Sequence, residues 1–469
     1  MKKIVILVLI FCTIQFIGCS KLNNNEMPSN GQQNAYENEE NGNDELPDSS
    51  QSKDGINDNK GLSNEKEEIS IKPVDSKYIG EGFMEGIDYD HTRRVLDETE
   101  DGYFFYDQQS SRIMFYDKNS KTSVVFCNKP NCEHNGWSEE CSAFTFEFLN
   151  NYNGYLYSIS DDQKRGPLNP LEKEEKLQLK KVNYYLTRVK EDGTEKENIC
   201  KLFTQYLELN ESGEYVSALL DHRYTIHRGY FYQAFSSQFK DESIIYIKRW
   251  NLDSDHTEEV LLSQKIDVKD RTIFGLKGYG NYIYFVELTY STDDFEDSES
   301  KLYRLHINTG EIEEIVVGGN LIDYYISEGY LYYVLRPGNL IYKMNMETKE
   351  TKLIIDNQDE TYLPYVSNII LDGDYIYYQN LYHYLLSNEE YDKECRVYDL
   401  DGNLVDTIDM DGNCTYSDDI LGVYNDKLII AWANEENPLA NYYYTLDKSQ
   451  IGTGVHKVEK MIIAPVRGN

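Results

Sequence analysis

Four side chains able to bind a metal or exchange disulfides fall within fifteen residues. They are Cys127, Cys132, His134 and Cys141, in the pattern C-x4-C-x-H-x6-C. Three soft thiolates and one imidazole are a ligand set for tetrahedral Zn²⁺. A turn at Pro130-Asn131 would bring Cys127, Cys132 and His134 to one side, and a return of the chain through Gly136 would add Cys141. Held by zinc, all four donor atoms should lie within about 4 Å of one another, given bonds of about 2.0–2.3 Å. Two other outcomes are open: a disulfide between two of the three cysteines, which suits an extracytoplasmic protein, or reduced thiols. In each case the role expected is structural, a staple between the first and second of the repeat units described below.

Other chemistry is sparse. Cys200, Cys395 and Cys414 stand outside any motif and read as small buried hydrophobes, although Cys395 and Cys414 are spaced so that they could pair. Asp293-Asp294-Phe295-Glu296-Asp297 and Asp409-Met410-Asp411-Gly412-Asn413 resemble fragments of calcium loops. The second has Cys414 and Ile420 where an EF-hand would want Gly and Glu, so both read as solvated loops. There is no Gly-x-Ser-x-Gly, no His-Glu-x-x-His and no phosphate-binding glycine loop, and the eight histidines are dispersed. No catalytic residue is assigned.

The N-terminus carries an address. Lys2 and Lys3 precede an apolar run from Ile4 to Ile17, short for a membrane span and right for a signal peptide. The run ends in Phe16-Ile17-Gly18-Cys19, which resembles a bacterial lipobox. Residues 1–18 are therefore expected to be removed and Cys19 to be acylated; two acyl chains give a stable anchor where one would not. Residues 19–75 are rich in Asn, Asp, Glu, Ser and Gly and bury too little to repay ordering, so they read as a disordered tether. The chain has 46 basic and 82 acidic residues, a net charge of −36, which excludes a nucleic-acid binder.

From residue 76 to 469 the chain repeats. A turn residue followed by an aromatic strand recurs at Tyr103, Tyr155, Tyr230, Tyr282, Tyr330 and Tyr375, with a degenerate seventh copy at Lys427. Each is followed by a strand, a polar turn and another strand, as at Asn308-Thr309-Gly310-Glu311 or Asp401-Gly402-Asn403. Four short strands repeated at this period give an all-β fold, a β-propeller of seven four-stranded blades, with six or eight as alternatives. The last unit holds four strands of its own, near 420–424, 427–433, 442–446 and 458–463, so closing the ring requires no borrowed N-terminal strand.

The Tyr-Leu-Tyr and Tyr-Ile-Tyr strands and their repeat resemble those of bacterial lipoproteins with low-density-lipoprotein-receptor-like propellers. In that class a Tyr-Trp-Thr-Asp strand recurs, and Trp-Thr-Asp is missing here. The resemblance implies a propeller over residues 76–469 and brings no catalytic residue with it. Clustered Cys-Cys-His-Cys segments also recur in the lipoproteins this chain resembles.

The expected function is that of a membrane-anchored, extracytoplasmic binding or scaffolding module for a protein or glycan. The alternative is a cell-surface enzyme acting on glycans. Tyrosine suits glycan or peptide contacts, but most of the 42 tyrosines lie in strands and are expected to pack the blades.

Overall fold

The computed structural model describes residues 97–107, 112–129, 132, 134, 141–145, 147–162, 181–209, 215–217, 221–239, 242–266, 271–289, 299–315, 317–335, 340–356, 367–371, 374–380, 394–409, 419–423, 426–433 and 441–463. The chain divides into two units, residues 1–68 and 69–469, and every described residue belongs to the second. The signal peptide, Cys19, the tether, Cys414, the Asp293–Asp297 cluster and Met410–Asn413 lie outside the described residues.

The described residues form seven antiparallel blades, an all-β propeller. Blade 1 consists of β1 (Asp97–Glu98), β2 (Gly102–Asp107), β3 (Arg112–Asp117) and β4 (Thr122–Val125). Blade 2 consists of β5 (Glu147–Tyr152), β6 (Tyr155–Asp161), β7 (Lys181–Lys190) and β8 (Glu197–Leu209), with β9 (Tyr215–Ser217) added to the edge of β8. Blade 3 holds β10 (Asp221–His227), β11 (Tyr230–Phe239), β12 (Glu242–Asn251) and β13 (Glu258–Ile266). Blade 4 holds β14 (Arg271–Tyr279), β15 (Tyr282–Thr289), β16 (Glu299–His306) and β17 (Ile312–Ile315). Blade 5 holds β18 (Leu321–Ser327), β19 (Tyr330–Leu335), β20 (Leu340–Asn345) and β21 (Thr351–Asp356). Blade 6 holds β22 (Ser367–Leu371), β23 (Tyr375–Asn380), β24 (Glu394–Asp399) and β25 (Leu404–Asp409). Blade 7 holds β26 (Asp419–Val423), β27 (Lys427–Ala433), β28 (Asn441–Asp447) and β29 (Val458–Lys460), and β30 (Ile462–Ile463) follows.

All seven repeat anchors fall in the second strand of a blade, at or next to its first residue. The preceding turn explains why. In blades 2, 3 and 5 the two loop residues both have positive φ: Asn153 and Gly154, Arg228 and Gly229, Glu328 and Gly329. That is the two-residue hairpin whose twist matches the flanking strands. Burial then falls from the inside outward. β19 is buried along nearly its whole length, whereas β21 exposes most of its residues. Inner strands face a neighbouring blade on both sides and bury even polar residues such as Ser158 and Gln233; outer strands splay apart and admit water.

The tyrosines pack the blades, under a cover the repeat pattern did not reveal. In blades 2 to 5 the second Tyr of each Tyr-x-Tyr stands opposite a cation on the third strand: Tyr157 opposite Arg188, Tyr232 opposite Arg249, Tyr284 opposite Arg304, Tyr332 opposite Lys343. The cation lies over the first ring of the pair, 4.4 Å from Tyr155, Tyr230 and Tyr282 and 4.7 Å from Tyr330. That geometry is a cation–π contact. The three arginines also reach a carboxylate on the fourth strand, Glu197, Glu259 or Glu313. Burial raises the Tyr284 hydroxyl to about 12, despite the opposing pull of Arg304.

Blade 7 is built from four strands of its own, as the sequence suggested, but the chain continues past it. The segment read as one last strand is two. β29 completes blade 7 by pairing with β28, and β30 pairs in parallel with β4 of blade 1, Ile462 opposite Thr122. Between them Met461 is buried with Tyr103, Phe105, Met114 and Tyr116 of blade 1. The Tyr103 hydroxyl donates to Asp426 at 3.3 Å, and Lys121 meets Glu459 at 3.1 Å.

Candidate metal centre

Cys127, Cys132, His134 and Cys141 come together. Their four donor atoms lie within 4.8 Å of one another, and Cys141 Sγ is 3.6 Å from His134 Nδ1. A tetrahedral zinc with bonds of about 2.3 Å spaces its ligands by about 3.8 Å. The Cys141–His134 pair already has about that separation, and no pair needs a movement of more than about 1 Å to reach it. The three sulfurs are free thiols.

The local chain explains the gathering. β4 ends at Val125, and the Cys127 N–H donates back to the Val125 carbonyl at 2.9 Å. The Cys132 N–H donates to Lys129 O at 3.3 Å, returning the chain toward Cys127. His134 has φ of 54°, a left-handed backbone that is uncommon for a residue with a side chain. Beyond Cys141, the Ile113 N–H of β3 donates to Ala143 O at 2.7 Å, and Arg112 and Phe144 form an isolated antiparallel bridge. The segment from Cys141 to Phe144 is thus fastened to blade 1.

Blade 2 closes the other side. Cys141 is buried with Phe104, Ile113 and Phe126 of blade 1 and its exit, and with Leu156 and Val189 of blade 2. Cys127 and Cys132 are half-buried against the same cluster. Lys196, in the β7–β8 turn, donates to Phe144 O at 2.6 Å and Cys141 O at 3.3 Å. In the same turn Gly193 has φ of +79°, and a Cβ there would meet the Asn128 nitrogen at 3.2 Å, so the turn fits closely against the ligand loop. The staple position expected from the sequence is where the four residues sit.

The electrostatics of the thiols are unequal. Burial pushes the Cys127 thiol up. N–H groups of Lys129 and Ser142 donating to its sulfur, with the Cys132 and Cys141 thiols, more than offset this and hold it below the ordinary value. Burial pushes Cys141 up to about 12, and the charges of Cys127 and Cys132 add to the effect. The His134 imidazole is lowered, first by desolvation and then by the charge of Arg112, which favours the neutral ring a metal needs. A Cys127 sulfur whose anion the backbone donors favour, an imidazole biased toward its neutral form and two further sulfurs fit a borderline-soft divalent cation.

The remaining cysteines separate cleanly. Cys395 is fully buried in the core shared by blades 6 and 7. Cys200 is a free thiol raised to about 12, first by burial and then by the charge of Glu258. Sequence reasoning missed Arg112, Gly193 and Lys196, which support the cluster from other strands and turns. No spacing rule connects them to the cysteines.

No family model matches the chain, and no curated protein matches it. Solved structures do. A prolyl endopeptidase structure aligns with 82% of this chain at 12% identity and a TM-score of 0.50. This chain spans about half of that one, 51%. BamB from Moraxella catarrhalis aligns over 75% of this chain and 95% of its own at 11% identity and a TM-score of 0.34. The nidogen/laminin complex aligns over 49% and 76% at 13% identity and a TM-score of 0.28. The likeness to the endopeptidase is one of fold alone; the other two scores are too low to carry an argument.

Proposed function

We propose that this chain is a lipid-anchored, extracytoplasmic protein whose propeller binds or scaffolds a protein or glycan partner. The observation that carries this is the division of labour between the two faces of the ring. Strand direction puts the two-residue turns 153–154, 228–229, 280–281 and 328–329 at one face. The strand ends joined by residues 162–180, 290–298, 381–393 and 434–440 all lie at the other. Recognition on rigid scaffolds concentrates in such connections. The strand tyrosines lie under arginines and a lysine, so ligand contact falls to the loop face. Anchoring rests on the Ile4–Ile17 run and Cys19. No helix among the described residues is long and apolar enough to cross a membrane.

Affinity capture from solubilised membranes, with a glycan array and a panel of chromogenic glycosides, tests the reading. A partner or glycan bound without turnover is the expected result; glycoside turnover would replace it with the enzyme reading. Labelling with a fatty-acid analogue should be abolished in Cys19→Ala.

Within this molecule Cys127, Cys132, His134 and Cys141 hold one structural Zn²⁺ between blades 1 and 2. Four protein ligands leave no open position for substrate, as in structural rather than catalytic zinc sites. Elemental analysis should return one zinc per chain. Absence of zinc with two thiols missing on the denatured chain would mean a disulfide instead.

A further inference from the structure

The metal reading leaves one charge to be accounted for. Zn²⁺ with three thiolates and a neutral imidazole carries a net charge of −1. A buried anion without a countercharge is costly, so such a centre needs a cation close by. The chain as a whole is strongly acidic, and a cation buried beside this loop is therefore a specific feature and not a reflection of composition.

Arg112 is that cation. It opens β3, is only 8% exposed, and sits in backbone register with Phe144, three residues beyond Cys141. Its Nε is buried and has no hydrogen-bond partner. No ion pair to Arg112 is found among the described side chains, although the other deeply buried guanidinium on a third strand, Arg249, has Glu259. This guanidinium, buried with an unused N–H, is close enough to the cluster for its charge to act on the His134 imidazole.

Resting on the zinc reading above, we propose that Arg112 is the countercharge of the loaded Cys₃His centre: a positioning residue that ligates nothing and lets the site hold three thiolates around a divalent cation. It thereby favours zinc over the protonated, metal-free cluster. Arg112 would also link metal occupancy to the blade itself, because its backbone belongs to β3 and bridges to Phe144, three residues beyond Cys141.

The test uses the full-length chain in detergent, loaded with zinc and, separately, with Co²⁺. R112Q should weaken zinc binding by about 10- to 100-fold in competition with a chromophoric chelator, the range for outer-shell partners. Its cobalt charge-transfer and d–d bands should stay those of a tetrahedral three-sulfur site, because no ligand is lost. R112K should recover most of the affinity. Asp107 stands opposite Arg112 in the β2–β3 register, so D107N asks whether any change at this end of the strand pair weakens the site; removing an anion should not lower zinc affinity.

A charge argument also predicts non-additivity. C132H turns the site into a neutral two-sulfur, two-nitrogen centre, and R112Q should cost far less zinc affinity in that background. The double variant keeps the proposal open to refutation should R112Q alone fail to accumulate. Unchanged affinity in R112Q, an equal loss in D107N, or full additivity with C132H would each overturn the role of Arg112 and leave the zinc site standing. Wild-type protein without zinc and with a disulfide would instead remove the site itself.

Discussion

On one side of blade 1, Phe104 and Ile113 pack with Leu156 and Val189 of blade 2 beneath three sulfurs and an imidazole. On the other side, Met461 enters a cluster of Tyr103, Phe105, Met114 and Tyr116 while Ile462 and Ile463 pair with β4. Both joins hold the same blade to its neighbours. The first uses side-chain donors gathered from a long loop, the second a backbone ladder and one apolar side chain. The difference follows from where the chain is going. Between blades 1 and 2 it runs on from Phe126 to Phe146 and must be folded back on itself, whereas at the end of blade 7 it is already extended and can add a strand. A ring of β blades can thus be closed by polypeptide geometry alone, and the metal-capable join answers a local need of one loop.

The largest effect should come from breaking the first join. Removing zinc by chelation, or the Cys141→Ala change at a fully buried position, should lower the thermal midpoint by roughly 10 °C, because metal binding is also folding free energy. Circular dichroism melts with and without chelator measure it. An unchanged midpoint would mean that the apolar cluster holds blades 1 and 2 together unaided.

A third kind of join sharpens the contrast. Arg249 is fully buried, pairs with Glu259 at 2.8 Å and donates to Ile307 O at 2.8 Å, linking blade 3 to blade 4. Arg249→Met leaves Glu259 largely buried without its partner and should cost about 3–5 kcal/mol in urea unfolding. Arg304→Met, whose partner Glu313 is half exposed, should cost no more than about 1 kcal/mol for the ion pair. Equal costs would show that the shared packing over tyrosine, and not the buried charge, dominates.

At the second join Met461→Ala should cost about 2–5 kcal/mol, the range for emptying a buried methionine site. The loss should appear as easier unfolding of blade 1 in hydrogen exchange, in Phe104 and Phe115 amides before those of blade 4. Uniform destabilisation of all blades would mean that the ring opens as one unit and that the closure is not a separate element.

These joins were unequally legible in the sequence. The Tyr-x-Tyr repeat placed all seven second strands, because period-two aromatic runs behind turn residues are local signals. Cys127, Cys132, His134 and Cys141 were readable as a site for the same reason: four rare ligand types lie in one short segment. Arg112 was not, since it precedes the cluster by fifteen residues on another strand and only the β3 register brings it back. Ile462-Ile463 gave no signal either. Two apolar residues after Met461 look like the end of β29, and parallel pairing with a strand 340 residues away leaves no mark in periodicity. The arginines over the tyrosines were hidden because their partner is across a hairpin of variable length, 23 residues from Tyr282 to Arg304 counted inclusively but 34 from Tyr155 to Arg188.

The smallest effect belongs to blades 6 and 7, joined by a polar contact. Asp406 Oδ2 accepts from His456 Nε2 at 2.8 Å and from the Gly452 N–H at 2.6 Å, and both side chains are nearly buried. Burial pushes the Asp406 carboxyl up. The hydrogen bonds from His456, Gly452 and Thr407, together with the charge on His456, more than offset this and hold it below the usual carboxylate range. A carboxyl whose folded value is depressed stabilises the protein above its unfolded value, about 3.9, and that stabilisation is lost as pH falls through the folded value. Asp406→Asn should therefore lower the thermal midpoint modestly at pH 7. The gap to wild type should close as the pH is taken below 4, with wild type falling toward the variant. Metal loss at the first join also occurs in acid, so the measurement belongs in metal-free protein, where the joins separate. A gap that persists unchanged to pH 3 would mean that the carboxylate charge is not what holds these two blades together.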